Sequence, residues 1–242
     1  MPQLAEPEVH LWRASLSAPE SDLAALRNLL TDDERSRGDR FVFAHDRNRF
    51  VIARGILRLI LGRYLQRNPG EIRFLYGSHG KPAVAGKNPS RLCFNVSHSH
   101  ELALYAVAQG REVGVDVEYR KDDRATDAIA ERFFSPQEVL ALRSLPAATR
   151  RQAFFDCWTR KEAYIKGRGQ GLSIPLKQFD VSVRPGEPAA LLATRELGNQ
   201  EAEVWTLCDV PLEDPYAAAV AVAGPDNWRP SYWQWGAGEG ED

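Results

Sequence analysis

Apolar residues recur at helical spacing in two places near the start of the chain, over residues 23–30 and over residues 47–65. The longer run places its apolar side chains at Phe50, Ile52, Ala53, Ile56, Leu57, Ile60 and Leu61. Turn-forming residues at 68–70 end this run, and apolar residues then alternate over residues 72–76. The pattern predicts a long helix followed by a half-buried strand.

The period of the apolar residues changes from residue 92 onward. Three short β-rich runs, at residues 92–96, 102–108 and 113–119, are separated by polar turns and predict an antiparallel meander. Helical spacing then returns in residues 128–134, 136–143 and 150–166, and further strands are predicted in residues 179–183, 204–207 and 216–222.

A long helix and a group of strands therefore occur twice along the 242 residues. This repetition predicts an α+β fold made of two similar α+β halves, each a long helix packed on a small, mainly antiparallel sheet. We place the N-terminal half at residues 1–112, the C-terminal half at residues 113–228, and a frayed tail at residues 229–242.

Charge and apolar segments limit the partners that the protein can have and the cellular compartment in which we expect it. The formal net charge of −2 argues against a protein that coats nucleic acid. The first thirty residues contain no continuous apolar segment, and the apolar stretch at residues 217–223 is too short to cross a bilayer. We therefore expect a cytoplasmic protein without membrane or nucleic-acid partners, with Cys93, Cys157 and Cys208 reduced.

Two carboxylates alternate with valines in the third β-rich run. Asp116 and Glu118 are two residues apart on a predicted strand, so both leave the same face with Cα atoms roughly 6 to 7 Å apart. Such a pair can share one small cation, and magnesium suits it because Mg2+ completes its shell with water and phosphate oxygens. The alternative is a strand face whose acids are only solvated.

A second candidate group lies on the predicted helix at residues 150–166. Trp158, Glu162 and Lys166 follow one another in steps of four and share one face of the helix. A carboxylate that could act as a base or a metal ligand therefore lies one turn from an ammonium group. The alternative is a surface ion pair of about 0.3 to 0.5 kcal/mol beside a core tryptophan. The glycines at residues 167–171 allow a left-handed helix cap and a loop close to a ligand.

Polar and cationic residues elsewhere could bind a polyanion. Ser97 and His98 end a predicted strand with small donors, where phosphate oxygens could be held. Lys81 is expected to be exposed in the turn Gly80-Lys-Pro82, and Arg37 precedes the long helix. Each of these residues is equally compatible with an ordinary surface role.

Together these segments resemble the surfactin-type (Sfp-type) 4'-phosphopantetheinyl transferases. The match consists of Gly80-Lys-Pro82, Phe94-Asn-x-Ser-His-Ser99, Gly114-x-Asp-x-Glu118 and Trp158-x-x-Lys-Glu-Ala-x-x-Lys166, followed by the glycine loop. Members of this family transfer the phosphopantetheine group of coenzyme A to a serine of an acyl, peptidyl or aryl carrier protein and release 3',5'-ADP. The resemblance implies the same activity here, in a pseudo-dimeric monomer.

The resemblance also implies roles for single residues. Asp116, Glu118 and Glu162 would hold Mg2+ against the pyrophosphate. Lys166 and His98 would neutralise phosphate oxygens, and Glu162 would be the general base, unless a metal-bound water relays the proton. The residues expected to contact coenzyme A, the substrate, are Arg37, Lys81, Pro82, Asn95, Ser97, His98, Asp116, Glu162 and Lys166.

The chain departs from the family pattern at one residue, and its motifs are compatible with two other functions. Glu34 stands where some members carry a lysine near the 3'-phosphate, which leaves more of that task to Arg37. A module that binds coenzyme A without turnover is one alternative function, and loss of an acid would be its mark. A magnesium-dependent nuclease or phosphohydrolase is the other, and it would act without a carrier protein.

Overall fold

The computed structural model of the protein describes residues 4–86, 91–120, 126–195 and 204–236. The helices are α1 (Glu20–Leu29), α2 (Asp32–Gly38), α3 (Ala44–Leu65), α4 (Thr126–Phe133), α5 (Pro136–Ser144) and α6 (Ala147–Arg168). The strands are β1 (Glu8–Ser15), β2 (Phe74–Tyr76), β3 (Pro82–Val84), β4 (Leu92–Ser99), β5 (Leu102–Gln109), β6 (Val113–Tyr119), β7 (Phe179–Val181), β8 (Leu191–Thr194), β9 (Trp205–Asp209), β10 (Tyr216–Ala223) and β11 (Arg229–Gln234).

Two long helices each cover one sheet, which confirms the predicted α+β fold of two similar halves. α3 packs on a four-stranded sheet of order β11-β1-β5-β4, and α6 packs on a three-stranded sheet of order β6-β10-β9. A third apolar cluster, which includes Leu11, Leu104, Val115 and Val220, fills the space between the two sheets. The acids of β6 therefore belong to a strand fixed between two cores.

The predicted meander is wrong in its third strand. β4 and β5 pair antiparallel, but β6 leaves that sheet and pairs antiparallel with β10, with Asp116 opposite Ala219. A break at residue 113 agrees with the predicted start of the second half, although the domain limits as a whole stay a prediction. Short-range alternation of apolar residues cannot tell which neighbour a strand will choose.

The predicted frayed tail is also wrong for residues 229–234. These residues form β11, which runs parallel to β1 and places Trp233 beside Trp12. The two indole rings stack with centroids 5.4 Å apart. β1 was not predicted either, and residues 237–242 lie outside the described residues. The end of the chain thus returns to the N-terminal half.

Candidate active site at the junction of the halves

Gly114 allows α6 to approach β6 closely. A Cβ atom built on Gly114 would lie 2.1 Å from the carbonyl oxygen of Ala163 and 2.2 Å from the backbone nitrogen of Gly167. Asp116 and Glu118 lie on the same face of the strand as Gly114, because residues two apart point the same way. Val115 and Val117 lie on the opposite face and enter the core between the sheets. The acids of β6 therefore share one face of the strand, as their spacing predicted, and the structure turns that face toward α6.

Asp116 and Lys166 form an ion pair at this contact. The Lys166 ammonium lies 2.7 Å from Asp116 Oδ1, and it also donates to Ser97 Oγ at 2.7 Å. The side chain of Asp116 is only 5% exposed, whereas that of Lys166 is 28% exposed. Asp116 Oδ2 is buried and has no hydrogen-bond partner in the part of the chain that the structure describes. That oxygen is an acceptor that a bound cation would satisfy.

Glu162 is held close enough to the acids of β6 for their charges to affect it. Burial, together with the negative charge of Asp116 and of Glu118, raises the pKa of Glu162 to about 7, against the opposing effect of Lys166. Within the described ranges no group of three or more His, Cys, Asp or Glu side chains has metal-ligand geometry. The three predicted metal ligands are therefore neighbours, but they are not arranged as a closed metal site.

A cleft of about 680 Å3 leads to Lys166 from the N-terminal half. Six of the predicted contact residues line it: Arg37, Lys81, Pro82, Asn95, His98 and Lys166. The others, Ser97, Asp116 and Glu162, are not among the residues that line the cleft, although Ser97 and Asp116 both contact Lys166. The structure therefore separates a cationic cleft from an acid cluster, with Lys166 between them.

Lys81 is not the exposed lysine that the sequence predicted. Its ammonium donates to Glu112 Oε2 and to the carbonyl of Gly167, both at 2.6 Å, and to the carbonyl of Val113 at 3.3 Å. The turn of Gly80, which has a φ of +84°, brings the lysine to this position. Lys81 thus connects the β2–β3 hairpin to the segment between the halves and to the end of α6.

The hydroxyl of Ser97 has no hydrogen left for a phosphate. It donates to Asp116 Oδ1 at 2.8 Å and accepts from Lys166 and from the backbone nitrogen of Val117. A serine hydroxyl has one donor and two acceptor positions, so all three are in use. The prediction that Ser97 contacts coenzyme A stays a prediction, but donation to a phosphate oxygen would require Ser97 to release Asp116.

His98 offers a hydrogen bond more readily than a charge. Desolvation and the nearby Lys166 ammonium lower the pKa of His98 below its usual 6.5, so the imidazole is mainly neutral at neutral pH. A neutral ring still has one N–H donor. The predicted contact of His98 with phosphate oxygens stays a prediction, and a neutral ring would make it as a hydrogen bond.

Glu34 does not project into the cleft as a free charge. Its carboxylate binds Arg58 at 2.7 Å and also Arg54, and it forms a capping box with Thr31 at the start of α2. Burial acts to raise the pKa of Glu34, but hydrogen bonds from Arg58 and the charge of Arg54 outweigh it and lower the pKa. Arg54 was not predicted from the sequence, and it lines the cleft together with Arg37 and Arg40. The signal in the sequence was that Arg54 and Arg58 are four residues apart on the predicted long helix, which places both cations on one face.

Both halves of the chain match models of one enzyme family. Residues 12–110 match the family model "4'-phosphopantetheinyl transferase, N-terminal", and residues 112–221 match the family model "4'-phosphopantetheinyl transferase superfamily". The chain is similar to the 4'-phosphopantetheinyl transferase HetI of Nostoc sp., with 43% identity over 96% of this chain and 94% of that protein. The chain belongs to the Sfp-type 4'-phosphopantetheinyl transferases.

Other relatives of this transferase are more distant. The 4'-phosphopantetheinyl transferase Sfp of Bacillus subtilis is 27% identical over 82% of this chain and 84% of that protein. Among solved structures, the holo-(acyl-carrier-protein) synthase of Bacillus anthracis in complex with CoA (3',5'-ADP) is 18% identical. The superposition covers 48% of this chain and 96% of the synthase chain, with a TM-score of 0.39. No helix among the described residues of the transferase could span a membrane.

Proposed function

We propose that this transferase moves the 4'-phosphopantetheine group of coenzyme A to a serine of an apo acyl, peptidyl or aryl carrier protein and releases 3',5'-ADP. The observation that supports this most directly is the cleft lined by Arg37, Arg40 and Arg54, which ends at Lys166 beside Asp116. Coenzyme A carries about four negative charges, so a cationic cleft favours its binding. The fold class and the names of the relatives agree with this activity.

We further propose that the reaction depends on Mg2+, held by Asp116, Glu118 and Glu162. Two observations support this donor set. Asp116 Oδ2 is buried without a hydrogen-bond partner among the described residues, and burial, together with the charges of Asp116 and Glu118, raises the pKa of Glu162. Oxygen ligands from carboxylates are those that Mg2+ prefers. When bound, the ion would offset the negative charge of the diphosphate.

The side chains of this chain then have separate tasks in the transfer step. The serine oxygen of the carrier forms a bond to the β-phosphorus, and the bond from that phosphorus to the bridging oxygen breaks, so 3',5'-ADP leaves with that oxygen. Glu162 takes the proton of the serine hydroxyl as the general base. Lys166 and the N–H of His98 bind phosphate oxygens, and Arg37 binds the adenosine end.

The acids and the cleft belong to different halves of one chain. Asp116 is on β6 of the second sheet, whereas Arg37 and Arg54 belong to α2 and α3 of the first half. A single chain therefore supplies both sides of the site, which supports activity as a monomer.

Intact-mass spectrometry of an apo carrier protein tests this proposal. Incubation with the protein, coenzyme A and Mg2+ should add about 340 Da to the carrier, the mass of the transferred group. EDTA should prevent the gain, and Glu162→Ala should slow it by about 10² to 10⁴. Glu187→Ala, at an exposed turn, is the matched control and should transfer normally.

The same experiment distinguishes the other two functions. Coenzyme A binding without any mass gain on several carriers would indicate a module that binds without turnover. Cleavage of the diphosphate in the absence of a carrier would indicate a phosphohydrolase. A mass gain that survives EDTA would contradict the magnesium requirement but leave the transfer intact.

A further inference from the structure

Three side chains of β4 bind the free edge of β6, and we call this arrangement the side-chain ladder. The backbone N–H groups of β6 donate to side-chain oxygens of β4 in three rungs, Val115 to Asn95 at 3.0 Å, Val117 to Ser97 at 3.3 Å and Tyr119 to Ser99 at 3.0 Å. The rungs repeat every two residues on both strands, which is the period of a β-strand.

The ladder has a structural role that follows from the sheet order. Within the described part of the chain, β6 is an edge strand, because β10 is its one neighbour in the three-stranded sheet. An edge strand presents unpaired backbone groups on its outer side, and a buried N–H without a partner is costly. The side chains of β4 satisfy these groups where the two halves meet.

Two of the three rungs also hold an acid. Ser97 Oγ donates to Asp116 Oδ1 at 2.8 Å, and Ser99 Oγ donates to Glu118 Oε2 at 3.2 Å. Each serine thus accepts from one backbone N–H of β6 and donates to the carboxylate of the residue just before it. The Asn95 rung has no such acid, because Gly114 occupies the corresponding position.

We infer that Ser99, together with Ser97, is a positioning residue that sets the direction of the acids of β6 for binding a divalent cation. The backbone N–H fixes the hydroxyl oxygen, so the remaining O–H can point only toward the neighbouring carboxylate. Such hydrogen bonds to metal-binding carboxylates orient them before the ion arrives. The inference rests on the proposed function, because it concerns the proposed metal ligands.

Ser99 is the better of the two positions for a test. Ser97 also contacts Lys166, so its loss would disturb the ion pair with Asp116 as well. Ser99→Ala removes the donor to Glu118 and the acceptor for Tyr119, whereas Ser99→Thr keeps the hydroxyl. Ser135→Ala is the matched control, because it removes a serine hydroxyl that caps α5 and leaves all three rungs of the ladder intact.

The measurement is Mn2+ binding to the purified full-length protein at saturating coenzyme A, followed by electron paramagnetic resonance of the free ion. Ser99→Ala should bind Mn2+ about 10-fold more weakly than the unaltered protein, and Ser99→Thr should restore most of the affinity. Ser135→Ala should lower the melting temperature, because it removes a buried helix cap, but retain the Mn2+ affinity of the unaltered protein.

The outcomes separate this inference from the proposed function. Equal Mn2+ affinity of folded Ser99→Ala and the unaltered protein would overturn the inference and leave the metal site in place. No Mn2+ binding by the unaltered protein would overturn the metal site itself, and the inference with it. If Ser99→Ala does not fold, Ser99→Cys replaces it, because sulfur is only a weak donor, and the same weakening is expected.

Discussion

Lys166 and Asp116 are joined by a 2.7 Å ion pair that uses only one oxygen of the carboxylate. The other oxygen is buried, and no hydrogen-bond partner for it exists among the residues that the structure describes. The ammonium therefore compensates the charge of Asp116 in the metal-free protein, while the second oxygen stays open to a cation. One acid can thus serve both the fold and the proposed chemistry.

Lys166→Met should destabilise the metal-free protein by about 1 to 3 kcal/mol, because it leaves a buried carboxylate without its cation. Urea unfolding in EDTA measures this loss. Adding Asp116→Asn should recover part of it, since the double variant no longer buries a charge. A double variant with no recovery would show that the two side chains are not coupled.

The raised pKa of Glu162 predicts how stability depends on pH. Between its ordinary pKa of 4.5 and about 7, the native chain keeps a proton that the unfolded chain releases, so stability falls as pH rises through this window. Glu162→Gln should therefore be more stable than the unaltered protein by about 1 to 2 kcal/mol at about pH 8, and nearly equal at about pH 4.5. Urea unfolding in EDTA at both pH values is the test, and a less stable variant at about pH 8 would contradict the environment of Glu162.

Gly114→Ala should destabilise the protein by at least about 3 kcal/mol, or prevent folding, because the new methyl group overlaps backbone atoms of α6 that cannot move separately. Gly70→Ala is the matched control, since its nearest neighbour would be Asn68 Oδ1 at an ordinary 3.5 Å. Thermal unfolding compares the two variants. Similar melting temperatures would show that α6 can shift away from β6.

Lys81→Met should loosen the junction of the halves, because it removes three hydrogen bonds that connect the β2–β3 hairpin to Glu112, Val113 and Gly167. Hydrogen exchange should become faster at residues 112–114 and 166–169 without coenzyme A. Lys177→Met, at an exposed position, is the control. A variant with unchanged exchange and weaker coenzyme A binding would instead favour the predicted phosphate contact.

The contribution of β11 can be measured by two truncations. A chain that ends at residue 228 should be less stable than one that ends at residue 236, because it loses the pairing with β1 and the stack of Trp233 on Trp12. The expected difference is about 1 to 3 kcal/mol, close to the cost of exposing one large apolar side chain, because Trp233 is itself partly exposed but covers the buried Trp12. Equal melting temperatures would mean that β1 does not need this partner.

Sequence alone determined the features that depend on short-range pattern. A 3.6-residue period predicted α3 and α6, and a two-residue period predicted that Asp116 and Glu118 leave one face of a strand. The joint motifs, including Gly114 and Lys166, were specific enough to indicate the family and hence the two-half fold. These features need no knowledge of distant contacts.

Only the tertiary structure decided which distant groups meet. The partner of β6 is β10 rather than β5, β11 returns to β1, and the Lys81 ammonium reaches the carbonyl of Gly167, 86 residues away. The donor of Ser97 is likewise used by Asp116 rather than left for a ligand. The number of hydrogen bonds that a side chain can make is fixed by its residue type. Which partners it finds depends on the groups that the packing of the two halves brings within reach. No short-range pattern in the sequence encodes those partners.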